Sequence, residues 1–410
     1  VLKIRKGVTF HNGKSLTVDD VIYTLRSMGD KKHVAYSKVA DIRLGELKKL
    51  DAYTLRIPLK SPNARLYDNF ATQTTVVIPE GLTDFTKPVG TGPFVFGSFT
   101  AGVRSLSTRN PSYWENGKPY VDEMELISID DPGARLNALL GGKIDIVSQM
   151  QPAQARVYQR NGRIKVLVAP STTIQVFLMA IDQAPFDDNR VRQAFRLIPE
   201  RQKLVDGALA GFGTVANDLA GKGLPNFASF PPRKYDPERA KSLLKQAGQE
   251  GLSVTLQTSP VTSGIVEAAT LFAQQAKQAG VDVKVKQEPT AAYFDTSLLY
   301  TKMAFAQSYW TVTSLPQWYT ESLLSTATWN ETHYRKKSYD QLIRSAIGAP
   351  SVAASRARWR AVQEAQYREG GYIVWTNLSL IDGLSNKVQG AKPNGFFPIG
   401  GYNFRDLWLT

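Results

Sequence analysis

Catalysis requires a nucleophile, an acid–base pair or a metal held at a fixed spacing, and this chain of 410 residues shows no such pattern. Its three histidines, His11, His33 and His333, stand apart, and none belongs to an H-x-x-H or H-E-x-x-H motif. Each reads as a surface or structural histidine. The carboxylate pairs Asp19-Asp20, Asp130-Asp131 and Asp187-Asp188 fall at the starts of expected helices, where capping accounts for them. Residues 211–214 (GFGT) lack a third glycine and a P-loop lysine, and there is no G-x-S-x-G elbow. Neither an enzyme, a cofactor nor a metal site is expected.

What remains is an aromatic and polar constellation at residues 307–319 (QSYWTVTSLPQWY). Gln307, Tyr309, Trp310, Thr311, Thr313 and Trp318 alternate rings with hydroxyls and an amide. A small-molecule pocket needs that mixture, because rings supply contact area while a few polar atoms fix orientation. The competing reading makes these rings core, with their N–H and O–H groups satisfied internally.

The elements that must position this stretch follow from pattern. Strand-like Ala304-Phe305-Ala306 leads into it. Upstream, the apolar run Ile174 to Ile181 reads as a buried strand, stopped by turn-formers from Asp182 to Pro185. A helix then begins, capped by Asp187 or Asp188, with Val191, Ala194, Phe195 and Leu197 as its apolar stripe. This is either an ordinary strand-turn-helix connection or a crossing between lobes.

Elsewhere the grammar is mixed α/β. Leu2 to Arg5 is an expected strand, Asn12-Gly13 a turn, and Val18 to Ser27 a helix capped by Thr17 with Asp20 three residues on. Leu55 to Leu59 alternates like a strand, and Thr74 to Pro79 follows. Pro88 to Phe99 turns sharply into a strand. Glu123 to Ile129, a helix from Asp131-Pro132 to Leu140, and Lys143 to Val147 have the spacing of a parallel βαβ unit. Leu252 to Thr258, Gly264 to Ala279 and Val281 to Lys286 repeat that spacing. Helices are expected from Pro237 to Ala247 and from Val352 to Glu369, then a strand from Tyr372 to Thr376, with Phe396 to Thr410 as a closing strand.

Composition bounds the class. The length suggests two or three domains, and 42% hydrophobic with 21% charged residues describes an ordinary soluble globular protein. Apolar runs stop well short of a membrane span. Without cysteine there are no disulfides or thiolate sites. The net charge of +14 is spread along the chain, its densest run being Arg335-Lys336-Lys337, and reads as a solvated basic surface. Attraction of an anionic solute or lipid is the next reading, and nucleic acid the last, since no recognition motif supports it. Val1 to Gly7 is already strand-like, without the cationic and apolar regions of a leader, so the chain is expected to start inside a domain.

Several stretches together resemble the family 5 extracellular solute-binding proteins, receptors of ABC importers for peptides, nickel, opines and oligosaccharides. They are residues 2–21 (LKIRKGVTFHNGKSLTVDDV), 90–94 (GTGPF), 110–114 (NPSYW), 142–147 (GKIDIV), 185–194 (PFDDNRVRQA) and 235–244 (YDPERAKSLL). Trp329-Asn330, residues 339–343 (YDQLI) and Val388-Gln389-Gly390 continue the order. Measured against that pattern, the N-terminal part of the first lobe and the export signal are missing here.

The resemblance implies an α/β, two-lobed periplasmic-binding-protein-like fold (type II, cluster C) with an extra peripheral subdomain. Residues 1–86 would form that subdomain, 87–181 and 380–410 lobe one, and 182–379 lobe two. Strands near Ala180 to Asp182 and near Trp375 to Ser379 would cross between lobes, which close on solute. It further implies a location in the periplasm or, as an anchored lipoprotein, outside the cell, permease subunits as partners, and a monomer. Peptide-binding members carry an aspartate that pairs with the ligand's ammonium where this chain has Thr313. Burying an ammonium without a counter-charge is costly, so the expected ligand is a neutral or anionic polar solute: a sugar, an opine-like conjugate or a modified peptide. Trp310 and Trp318 would stack on it, Gln307, Thr311 and Thr313 would hydrogen-bond it, and Trp375 would line the cleft from behind. A di- or oligopeptide receptor and a signalling receptor are the alternatives.

Overall fold

Helix starts are where local chemistry shows most directly. A computed structural model describes residues 1–60, 63, 66–72, 74–295 and 297–410. The helix Val18–Ser27 begins at a reciprocal cap, in which Thr17 accepts from the Asp19 amide and the Asp20 carboxylate accepts from the Thr17 amide at 2.9 Å. Asp188, rather than Asp187, caps Asn189–Leu197 by accepting from the Arg190 amide at 2.7 Å. Asp236 caps Pro237–Gln246 in the same way. Helices Pro132–Leu140 and Val352–Glu369 stop before the paired glycines that follow them.

The chain falls into two compact units, Val1–Arg135 with Lys387–Ala391 and Asn403–Thr410, and Leu136–Asn386 with Lys392–Tyr402. In the first, strands β1 (Leu2–Lys3), β2 (Lys48–Asp51) and β3 (Thr54–Arg56) form an antiparallel sheet in the order β1-β3-β2. Val18, Val21, Leu25, Ile42 and Leu55 build the adjoining core. Strands β4 (Phe94–Thr100), β5 (Arg104–Arg109) and β6 (Glu123–Ile127) form a second antiparallel sheet. Thr74 to Pro79 pairs with no strand among the described residues. The Thr24 side chain takes the ladder's place there, its Oγ1 accepting from the Ile78 amide at 3.0 Å.

The second unit contains a seven-stranded sheet. Its strands are β7 (Ile146–Val147), β8 (Lys165–Met179), β9 (Gly213–Val215), β10 (Ser253–Thr258), β11 (Asp282–Gln287), β12 (Phe305–Thr311) and β13 (Tyr372–Leu384). The order is β11-β10-β12-β8-β13-β7, with β9 also on β13. Strands β8 and β13 are its antiparallel spine, interrupted by irregularities at Val374/Thr376 and Asn377/Ser379. From Ile174 to Met179, β8 is covered on both faces, which explains an apolar run without alternation. Phe177 and Met179 pack into a core with Phe195, Phe272 and Phe305. Ile174, Val176 and Leu178 pack into another with Trp318, Tyr319 and Trp359.

The two βαβ readings come out differently. Strands β10 and β11 are parallel and joined through Ile265–Gln278, as their spacing predicts. Strands β6 and β7 lie in different sheets, and β7 pairs antiparallel with β13. Spacing identifies strand, helix and strand, but pairing depends on contacts with residues more than two hundred positions away, which no local pattern carries. The expected closing strand Phe396 to Thr410 is likewise mostly absent. Ile399, Gly400, Gly401 and Tyr402 all have positive φ, turning the chain left-handed, and only β15 (Trp408–Leu409) pairs, with β14 (Val388–Gln389).

Where helix Val352–Glu369 ends, its last carbonyls meet an arginine clasp. Arg196, fully buried, donates to the carbonyls of Tyr367 (3.1 Å) and Gly370, while Arg192 donates to Glu369 at 2.9 and 3.1 Å. The negative end of the helix thus receives cations that also satisfy its orphan acceptors. Burial pulls the Arg196 guanidinium down to about 9.

Gly371 sits where this clasp meets the spine. A Cβ there would lie 2.2 Å from the Met179 carbonyl oxygen and 2.8 Å from Thr332 Cβ. Gly371→Ala is therefore expected to destabilise the second unit by about 1–3 kcal/mol. Chemical denaturation measures this, and an unmoved midpoint would show that β8 and β13 separate freely.

Candidate ligand-binding site

The geometry of the aromatic stretch follows from where its neighbours stop. Strand β12 pairs with β8 over its whole length, from Phe305 opposite Met179 to Thr311 opposite Thr173. On its other edge it meets β10 only at Ala306. Just beyond, the Tyr293 hydroxyl donates to the Gln307 carbonyl at 2.6 Å and accepts from its amide at 3.3 Å. Backbone groups of alternate residues point to the same edge, so Tyr309 and Thr311 direct theirs to this side as well. No strand among the described residues pairs with them there.

Side chains alternate across the same strand. On one face, Tyr309 is 36% exposed and meets Phe294 edge to face at 5.9 Å, and the Thr311 hydroxyl is 3.1 Å from that of Thr173. On the other, the half-buried Trp310 meets Trp329, itself 44% exposed, edge to face at 6.1 Å. Thr313 is exposed, its hydroxyl bonded to Gln317, and Ser314 caps helix Leu315–Ser322.

Behind Trp310 lies a group that sequence reasoning did not single out. Glu331 is buried, and its carboxylate accepts from Ser308 Oγ at 2.6 Å, Trp310 Nε1 at 3.1 Å and the Tyr372 hydroxyl at 2.9 Å. Burial raises its pKa to about 7 against the pull of those three donors. The sequence marks it only as an acid between Trp329 and Tyr334.

Tyr309, Thr311 and Thr313 thus keep accessible surface, and so does Trp310 on the opposite face of the same strand. The other expected contacts lie in the interior. Gln307 is fully buried under the strand, and Trp318 is core beside Tyr319 and Tyr372. Trp375 is core beside Phe177, 6.4 Å between ring centres. The indole N–H of neither tryptophan finds an acceptor among the described residues. These rings lie where both faces of the sheet are covered, whereas Trp310 lies where coverage ends.

His333 is structural, with its ring nitrogens 2.6 Å from Asp182 Oδ1 and 2.9 Å from the Tyr300 carbonyl oxygen. No cluster of three metal-ligating His, Cys, Asp or Glu residues occurs among the described residues. Nor is any helix among them long and apolar enough to cross a membrane.

Comparison with known proteins identifies the family and the fold. A family model described as bacterial extracellular solute-binding proteins, family 5 middle, matches residues 1–331. The glutathione-binding protein GsiB of Pectobacterium atrosepticum is 26% identical over 430 aligned positions, covering all of this chain and 82% of that protein. The ABC transporter substrate-binding protein CtaP of Listeria monocytogenes superposes with a TM-score of 0.88 at 21% identity, covering 100% of this chain and 87% of that one. AgaA of A. tumefaciens R10, solved with agropinic acid, does so at 0.81 and 19%, covering 100% and 86%. The α/β periplasmic-binding-protein fold is therefore shared across the chain.

Proposed function

This chain belongs to the bacterial extracellular solute-binding proteins of family 5, and from that premise we propose that the end of β12 is a wall of its ligand site. The observation that carries this reading is the coincidence, at one strand end, of accessible Tyr309 and Trp310, the hydroxyls of Thr311 and Thr313, and a backbone edge without a partner strand among the described residues. Rings offer area, hydroxyls offer orientation, and the free edge offers amide groups to a ligand that carries its own.

The ligand we favour is a polar organic solute with amide or carboxylate groups, such as a modified peptide or an opine-like conjugate. Neighbours named for glutathione and agropinic acid support that class over a simple sugar. An unmodified di- or oligopeptide is the second reading, favoured by the free edge of β12. The receptor would hand its solute to the permease subunits of an ABC importer, acting in the periplasm or as an anchored lipoprotein, as a monomer and without turnover. The lobe limits 1–86, 87–181 with 380–410, and 182–379, with crossings near Ala180 to Asp182 and Trp375 to Ser379, belong to the same proposal.

A thermal-shift screen against modified and unmodified peptides, opines, oligosaccharides, polyamines and nickel tests it. A ligand bound only by the folded state raises the melting temperature by mass action, by about 2.7 kcal/mol of stability at a hundredfold excess over Kd. A rise with conjugates or modified peptides is expected. A rise confined to sugars or nickel would overturn the ligand class, and turnover of the stabilising compound would overturn the receptor reading.

A further inference from the structure

We propose that the corner formed by Trp310 and Trp329, backed by the Glu331 carboxylate, seats a cationic group of the ligand, an ammonium or a quaternary ammonium. The inference rests on the reading of β12 as the ligand wall and names the charge that this wall accepts.

Three observations carry it. First, the carboxylate of Glu331 is buried with neutral donors only, Ser308, Trp310 and Tyr372, and it forms no ion pair with any cation among the described residues. A buried negative charge without a counter-charge favours any cation that can approach it. Second, the approach is through Trp310. Its N–H donates to the carboxylate, which pushes electron density into the indole and strengthens the attraction of the ring face for a cation. Third, Trp329 stands at 61° to Trp310 with centroids 6.1 Å apart, so the two rings make an open corner. With Trp329 44% exposed, that corner is accessible. Two aromatic walls with a negative charge behind one of them are suited to a large, weakly hydrated cation.

This revises the ligand chemistry expected from residue types. Thr313 carries no charge, and from that alone a neutral or anionic solute follows. The carboxylate that can offset a ligand's positive group lies instead on a different segment, behind the tryptophan.

Glu331 is the group in contact with Trp310 that changes charge near neutrality. It is faced by Ser308 and Trp310 from β12 and by Tyr372 from β13, while Tyr293 and Tyr300 contribute from residues 293–300. Burial pushes all three phenols above their ordinary range. His333, two residues on, is engaged by Asp182 and the Tyr300 carbonyl. Loss of the carboxylate's charge as pH falls through about 7 should therefore weaken cation binding.

The test titrates choline chloride and its neutral carbon isostere, dimethylbutanol, into the full chain, followed by tryptophan fluorescence and calorimetry. Choline is expected to bind about tenfold more tightly than the isostere. That preference should fall to near unity in Trp329→Ala and Glu331→Gln, and it should fade in the wild type as pH drops through about 7 while isostere binding stays level. Trp329 is a surface residue, so Trp329→Ala and the wild-type pH profile decide the matter even if Glu331→Gln does not fold. Equal affinities, no binding of either compound, or a preference independent of pH would overturn the cation seat. If a solute from the screen stabilises the protein while choline shows no preference, this inference fails and the receptor reading stands. A choline preference without any stabilising solute supports the seat and counts against the reading of a conjugate receptor.

Discussion

Replacing Asp218 by Asn lowers the stability of the second unit by about 3–5 kcal/mol, the cost of breaking a buried ion pair from one side. Asp218 is 1% exposed, and its carboxylate lies 2.7 Å from Arg201 Nη2 and 2.6 Å from Arg233 Nε. It also favours the charged form of the fully buried Arg196, whereas the neighbouring Arg233, Arg192 and Arg201 oppose it. One carboxylate thus pairs with Arg201 and Arg233 and favours the charge on Arg196, and both Arg233 and Arg196 donate to the Tyr367 carbonyl near the end of helix Val352–Glu369. Asparagine has nearly the same shape and accepts the left-handed backbone at this position, where φ is 61°, so the change removes charge with little strain. Denaturation midpoints of wild type and variant measure the effect. A shift below about 1 kcal/mol would mean that water, not Asp218, screens the arginines.

Trp310→Ala weakens binding of whichever solute the thermal screen identifies by at least about tenfold, the usual consequence of removing a central aromatic contact. The indole does two jobs here. It presents a half-buried ring beside Trp329, and its N–H satisfies one lone pair of Glu331. Truncation to alanine removes both, so the melting temperature falls too, through a carboxylate left short of a donor at about 1–3 kcal/mol. Trp310→Phe separates the two jobs, because it retains much of the ring area and loses only the N–H. If the ring stacks on solute, Phe recovers a large part of the affinity without recovering stability. An affinity that is the same in wild type, Ala and Phe, with stability reduced, would make Trp310 a strut for Glu331 and remove it from the ligand wall.

Much of this protein was legible from residue order because the deciding forces are local. Thr17 with Asp20 and Asp236 ahead of Pro237 each start a helix through bonds spanning three residues. Ile265–Gln278 between β10 and β11 was legible for the same reason, since its amphipathic period and flanking glycines lie within one window. The accessible part of the candidate site, Tyr309 to Thr313, was marked by its rings and hydroxyls alone. Strand length was legible only in part: β8 begins at Lys165, nine residues before the apolar run, and Pro170 with the polar residues Ser171 to Thr173 separates its first part from that run.

Tertiary structure decided which neighbour each element meets. It separated β6 from β7 despite their βαβ spacing, and it replaced the last expected strand by a left-handed turn. It buried Trp318 and Trp375 and left Trp310 half open, although all three are tryptophans in similar company. It carried Glu331 behind Trp310 across 21 positions, and Arg196 onto carbonyls more than 170 residues away. The reason is physical: caps and periods are set by groups a few bonds apart, whereas burial, charge balance and the end of sheet coverage depend on which distant segments share a face.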